Sequence, residues 1–70
     1  MKTFAQWLRA THLGKDTPIG DLAFDVTRDK TFPKENDREV IQNHLARKGA
    51  CKECLTAFRR AWQQYSREVQ

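Results

Sequence analysis

The stretch from Ala50 to Gln70 constrains the fold of this chain more than any other segment. Its apolar residues recur at steps of three and four, with one adjacent pair, which is the pattern of one helical face. The stripe consists of Cys51, Cys54, Leu55, Phe58, Trp62, Tyr65 and Val69. At ~100° per residue these side chains fall within an arc of about 100°. We therefore expect a long amphipathic helix against which shorter helices pack.

Two helices are predicted in the first half of the chain. Helix 1 runs from Phe4 to about Leu13, because Thr3 and Gln6 match a capping box and Gly14 can end the helix. Helix 2 opens at Thr17-Pro18, where a hydroxyl side chain caps the first turn and proline needs no N–H. Its apolar residues then repeat at helical spacing.

A third helix is predicted between these two and the C-terminal one. It starts near Asn36, which forms a capping-box pattern with Glu39, and it ends at Gly49. Alternating runs and hairpin turns are missing from the sequence, so no strand is expected. The prediction is an all-α compact bundle of about four helices, folded as a single domain over residues 1–70 with the long C-terminal helix as its core.

Composition excludes several classes of protein. No apolar run approaches the roughly 20 residues of a membrane span, and the N-terminal residues lack the apolar core of a secretion signal. We expect a cytoplasmic protein with reduced cysteines and no membrane partner. The net charge of +4 is compatible with an acidic partner such as nucleic acid.

Several short segments, in this order along the chain, resemble one family. They are Phe4-x-x-Trp7-Leu8, Thr17-Pro18-Ile19-Gly20-Asp21-Leu22-Ala23, Asp29-Lys30-Thr31-Phe32-Pro33-Lys34, Ile41 with Leu45, and Phe58-x-x-Ala61-Trp62-x-x-Tyr65. Together they resemble the YozE family of small bacterial and phage-associated proteins with a sterile-alpha-motif-like helical fold. The resemblance implies a bundle of about four helices and little about activity, and no functional site carries over from it. By analogy of fold it suggests contact with DNA or with protein.

The cysteines and histidines do not form a convincing reactive site. Cys51 and Cys54 have C-x-x-C spacing, but structural zinc usually requires a second well-spaced pair, which His44 and His12 do not provide. Both cysteines fall on the apolar stripe, so we expect them to pack in the core. His44 is expected to be partly buried and hydrogen-bonded. We expect no metal, no cofactor, no catalytic residue and no small-molecule substrate.

The second helix carries an acidic edge formed by Asp21, Asp25 and Asp29. We interpret it as a solvated edge, and the alternative is an edge that contacts a basic partner or repels nucleic acid from that side. Phe24 lies about 140° from the centre of that helix's apolar stripe. We expect it to pack on a neighbouring helix or loop, and the alternative is an exposed anchor. These four residues are the candidate protein-interaction site.

Basic residues gather on the side of the last helix that faces away from the stripe. Lys52, Arg59, Arg60 and Arg67 share an arc of roughly 100°, and Arg47 and Lys48 could extend it. The pattern suits either an ordinary solvated face or a surface that follows a phosphate backbone. Four to six phosphate contacts would give a slope of log K against log[salt] of about −4 to −5.

These observations lead to one leading hypothesis and one alternative. The leading hypothesis is a non-enzymatic module that binds DNA, with weak sequence specificity, through the basic residues of the last two helices. The alternative is a protein-interaction module that uses the acidic edge and Phe24. Either form is expected to be a monomer or to self-associate weakly.

Overall fold

The computed structural model describes the backbone of residues 2–69 and the side chains of residues 2–68. In this part of the chain there are four α-helices and no strand: α1 (Phe4–His12), α2 (Pro18–Arg28), α3 (Arg38–Arg47) and α4 (Lys52–Val69). The predicted all-α bundle is confirmed. None of the helices among these residues has the length and apolar character needed to cross a membrane.

The predicted caps of the first two helices are present. The Thr3 hydroxyl accepts the N–H of Gln6 at 3.2 Å, and the Gln6 side-chain oxygen accepts the N–H of Thr3 at 3.0 Å. At the start of α2, the Thr17 hydroxyl accepts the N–H of Gly20 at 2.9 Å. These bonds satisfy donors that the first turn of a helix leaves without a backbone partner.

The start of α3 differs from the prediction. Its N-cap is Asp37, whose carboxylate accepts the N–H groups of Glu39 at 2.9 Å and Val40 at 3.1 Å. The capping box expected between Asn36 and Glu39 was therefore wrong. Asparagine and aspartate are both favoured at the N-cap. Asp37 takes this position because the side chain of Asn36 bonds to residues elsewhere in the fold.

The side chain of Asn36 forms hydrogen bonds to two helices that are distant in sequence, α1 and α4. Its side-chain oxygen accepts the N–H of Phe4 at 2.8 Å, in the first turn of α1. Its amide donates to the Tyr65 hydroxyl of α4 at 2.7 Å, and that hydroxyl donates to the carbonyl of Lys2 at 2.7 Å. This chain of bonds, the Asn36–Tyr65 clamp, ties the loop before α3 to both α1 and α4.

The core is built around Phe4, which is fully buried. Its ring centroid lies 5.0 Å from that of Trp62, 5.5 Å from Phe58 and 5.6 Å from Tyr65, so the aromatic stripe of α4 closes on α1. Helices α2 and α3 complete the core with Leu22, Ala23, Val26, Ile41 and Leu45.

The predicted stripe is confirmed for most of α4. Phe58 and Tyr65 are buried, while Cys54, Leu55 and Trp62 are partly buried and pack against the core. The side chain of Val69 lies outside the described residues. The stripe leaves the opposite side of α4 to solvent, and this is the side that carries the basic residues.

Candidate functional site

Four cations occupy the solvent side of α4, and we call them the α4 basic face: Lys52, Arg59, Arg60 and Arg67. All four are exposed, and the opposite side of the helix buries Ala57, Phe58, Ala61 and Tyr65. Lys52 and Arg67 are fifteen positions apart, which at ~1.5 Å per residue is about 22 Å along the helix axis. The predicted arc is therefore an elongated stripe.

The cations of this face form no close ion pair with the described carboxylates. Among the described side chains, the ion pairs within 4.0 Å all involve Asp29, which lies at the end of α2. No carboxylate of residues 2–68 pairs with the α4 basic face at that distance. Exposed cations without acidic partners give a positive potential that an anionic ligand can use.

A groove borders the N-terminal end of the α4 basic face. Its volume is ≈ 520 Å³, and it is lined by Thr17, Pro18, Ile19, Lys52, Glu53, Thr56, Ala57 and Arg60. The groove places two of the four cations beside the first turn of α2. The sequence predicts only a capping role for Thr17 and Pro18, because no local signal shows that α2 begins next to α4.

The two predicted cations at the end of α3 have different surroundings. Arg47 is exposed and has no ion-pair partner within the described part of the chain. The Lys48 ammonium lies 3.6 Å from the Asp29 carboxylate, and Lys48 lines a separate groove of ≈ 690 Å³ between the ends of α2 and α3 and the start of α4. Lys48 is thus less available to an anionic ligand than the α4 cations.

Asp29 is not part of a solvated acidic edge, contrary to the expectation. It is the C-cap of α2, and His44 Nε2 lies 2.7 Å from its carboxylate. The hydrogen bond to His44 holds the pKa of the Asp29 carboxyl well below its usual range, assisted by Thr31 and Lys48 and opposed by burial. His44 is partly buried and hydrogen-bonded, as predicted.

The remaining residues of the candidate protein-interaction site are exposed on α2. Asp21 and Asp25 face solvent, and Phe24 is 50% exposed. The expectation that Phe24 packs on a neighbouring helix or loop was wrong. The guanidinium of Arg28, one helical turn further along α2, instead lies over the Phe24 ring at 5.2 Å from its centroid.

The two cysteines are both free but have different environments. Cys54 is partly buried against the core, as expected, whereas Cys51 is exposed and precedes the first residue of α4. The prediction of a core position was therefore wrong for Cys51, because the helix starts one residue too late to turn this side chain inward. Among the described residues, no group of three or more metal-ligating side chains is placed to hold a metal ion.

Comparison with known proteins gives one match. A family model described as the YozE SAM-like fold matches residues 3–67, nearly the whole chain. No curated protein and no solved structure matches the chain. The match agrees with the four helices and with the resemblance seen in the sequence.

Proposed function

The chain belongs to the YozE SAM-like family, and we propose that it is a small module that binds duplex DNA and acts by binding alone. A fold hosts many functions, so the proposal rests on the surface and not on the family. The observation that carries it is the α4 basic face, an exposed stripe of four cations without a paired carboxylate among the described side chains. The proposal places the protein in the cytoplasm of a bacterium, where DNA is accessible.

The spacing of the stripe suits a phosphate backbone. The cations lie at three levels, Lys52, then Arg59 with Arg60, then Arg67, separated by about 11 Å along the helix. Phosphates of one strand follow each other at ~3.4 Å along the duplex axis, so a stripe about 22 Å long can contact several phosphates where the backbone crosses α4. Arginine adds bidentate hydrogen bonds to phosphate oxygens.

Such contacts position a protein on DNA without reading its sequence. The exposed side chains of this face are cationic, hydroxyl or amide groups, including Thr56 and Gln63. Backbone contacts carry no sequence information directly, so we expect similar affinities for duplexes of different sequence. Glu53 lies on the groove beside the face and disfavours phosphate there, which directs the backbone along the stripe.

Charge reversal tests the proposal. The binding of a labelled duplex is measured by fluorescence anisotropy at low salt for the wild type and for Arg59→Glu with Arg60→Glu. The matched control is Lys30→Glu with Lys34→Glu, two exposed cations in the loop between α2 and α3. Both double variants replace two positive charges by two negative ones, so they lower the net charge equally.

We expect the α4 variant to lose most of its affinity and the loop variant to lose much less. Equal losses would show that only net charge matters, which contradicts a specific face. Absence of binding by the wild type at low salt would refute the proposal. Circular dichroism of each variant shows that the helices remain intact.

A second function is favoured by the exposure of Phe24. An aromatic ring that is 50% exposed beside Asp21 and Asp25 suits an anchor for a protein with a basic surface, including a second copy of this chain. Sedimentation of the wild type and of Phe24→Ala tests self-association. Leu13→Ala removes another exposed apolar side chain, 41% exposed, and is the control. A wild type that stays monomeric at high concentration refutes self-association through Phe24.

A further inference from the structure

The C-x-x-C pair at the start of α4 has a geometry that packing does not explain. Cys51 directly precedes Lys52, the first residue of α4, and its carbonyl accepts the N–H of Leu55 at 3.1 Å. Cys51 therefore holds the N-cap position, and Cys54 is the third residue of the helix. Cysteine is not among the favoured N-caps, so capping does not account for it.

Side chains at the N-cap and at the third helical position face each other across the first turn. The same protein shows this at α1, where Thr3 and Gln6 occupy these two positions and each side chain reaches the backbone of the other residue. Helix geometry separates two Cα atoms three residues apart by ~5 Å, within the roughly 4.4–6.8 Å that a disulfide spans. The Cα separation expected for Cys51 and Cys54 thus lies within the range of a disulfide.

Access to the two sulfurs differs in a way that suits stepwise exchange. Cys51 is exposed, and both cysteines line the groove of ≈ 690 Å³ at the ends of α2 and α3. Burial raises the pKa of the Cys54 thiol, and the nearby Cys51 and Asp25 act in the same direction. Cys54 is therefore held as a thiol, and Cys51 is the sulfur that a dissolved reagent meets first.

We propose that Cys51 and Cys54 form a reversible intramolecular disulfide by exchange with a low-molecular-weight disulfide such as glutathione disulfide. The Cys51 thiolate attacks one sulfur of the reagent, which releases one glutathione thiolate and leaves a mixed disulfide on Cys51. Cys54 then loses its proton and attacks the Cys51 sulfur, which releases the second glutathione. The two cysteines are oxidised, and one glutathione disulfide is reduced to two thiols.

The folded wild-type protein is incubated at neutral pH with glutathione disulfide, quenched with acid and weighed by mass spectrometry. We expect a product lighter by two hydrogen atoms, with the glutathione adduct only transient. Cys54→Ser should accumulate the adduct on Cys51, because no second thiol resolves it. Cys51→Ser should react more slowly, since the remaining thiol is partly buried. A stable adduct on the wild type, or a covalent dimer in place of the internal disulfide, would overturn the proposal.

A second measurement tests whether the folded first turn of α4 favours the disulfide between Cys51 and Cys54. The equilibrium between the two forms is measured in mixtures of reduced and oxidised glutathione, with the protein folded and again in denaturant. We expect the constant for disulfide formation to be about tenfold larger in the folded protein, because the first turn of α4 raises the effective concentration of one thiol at the other. An equal or smaller constant in the folded protein would contradict the geometry.

Discussion

Removing the Tyr65 hydroxyl should destabilise the fold through the Asn36–Tyr65 clamp. In Tyr65→Phe the ring keeps its place in the core, but the hydrogen bonds to Asn36 and to the Lys2 carbonyl are lost, each 2.7 Å long in the wild type. A net contribution of ~0.5–1.5 kcal/mol for each bond gives a loss of about 2 kcal/mol. An unfolding entropy of roughly 2.1 cal/mol/K per residue then predicts a Tm lower by about 14 °C for a chain of 70 residues.

The assay is thermal and urea unfolding followed by circular dichroism, extended to a double-mutant cycle with Asn36→Ala. Since the two side chains share one hydrogen bond, we expect a coupling free energy of about 0.5–1.5 kcal/mol. Asn43→Ala, at an exposed position on α3, is the control for loss of an asparagine. A change below about 0.5 kcal/mol in Tyr65→Phe, or additive effects of the two substitutions, would refute the clamp.

Two further predictions concern the connections between helices. Gly20→Ala should lower the free energy of unfolding by ~1–3 kcal/mol, although alanine has the better helix propensity. The reason is that a Cβ at this position would overlap the carbonyl oxygen of Lys15 and lie 2.8 Å from the carbonyl carbon. Unchanged urea unfolding would contradict this prediction. The pKa of Asp29 is lower in the folded protein than its ordinary value of 3.8, so its contribution to stability is present above that pH and is lost as the pH falls below it. Between about pH 5 and pH 3, urea unfolding should show a smaller loss of stability in Asp29→Asn than in the wild type, and an equal loss in both would show that the bond to His44 adds no stability.

The sequence predicted the fold well because local signals determine most of it. The apolar spacing of α4 and the caps at Thr3 and Thr17 depend on residues within one or two helical turns, and all three appear in the structure. The predicted N-cap of α3, Asn36, lies one residue before the observed one. The side chain of Asn36 instead hydrogen-bonds to Phe4 and Tyr65, which are about thirty residues away in each direction.

The candidate site was less predictable, because it depends on contacts between helices. The exposure of the α4 cations followed from the helical period alone. The pairing of Lys48 with Asp29 did not, since it depends on where the end of α3 lies relative to the end of α2. Helical period also placed Phe24 away from the apolar stripe, and only the expected contact with a neighbouring helix or loop was wrong. Periodicity also assigned Cys51 to the buried stripe, although the helix begins only at Lys52.

The salt dependence of DNA binding tests the central proposal most directly. Each neutralised phosphate contributes about −0.9 to the slope of log K against log[salt], so the four α4 cations predict a slope of about −3.6, or about −4.5 with Arg47. Arg59→Glu with Arg60→Glu should reduce the magnitude of the slope by about 1.8. A wild-type slope near zero, or the same slope in the wild type and the double variant, would contradict a phosphate-binding role for this face of α4.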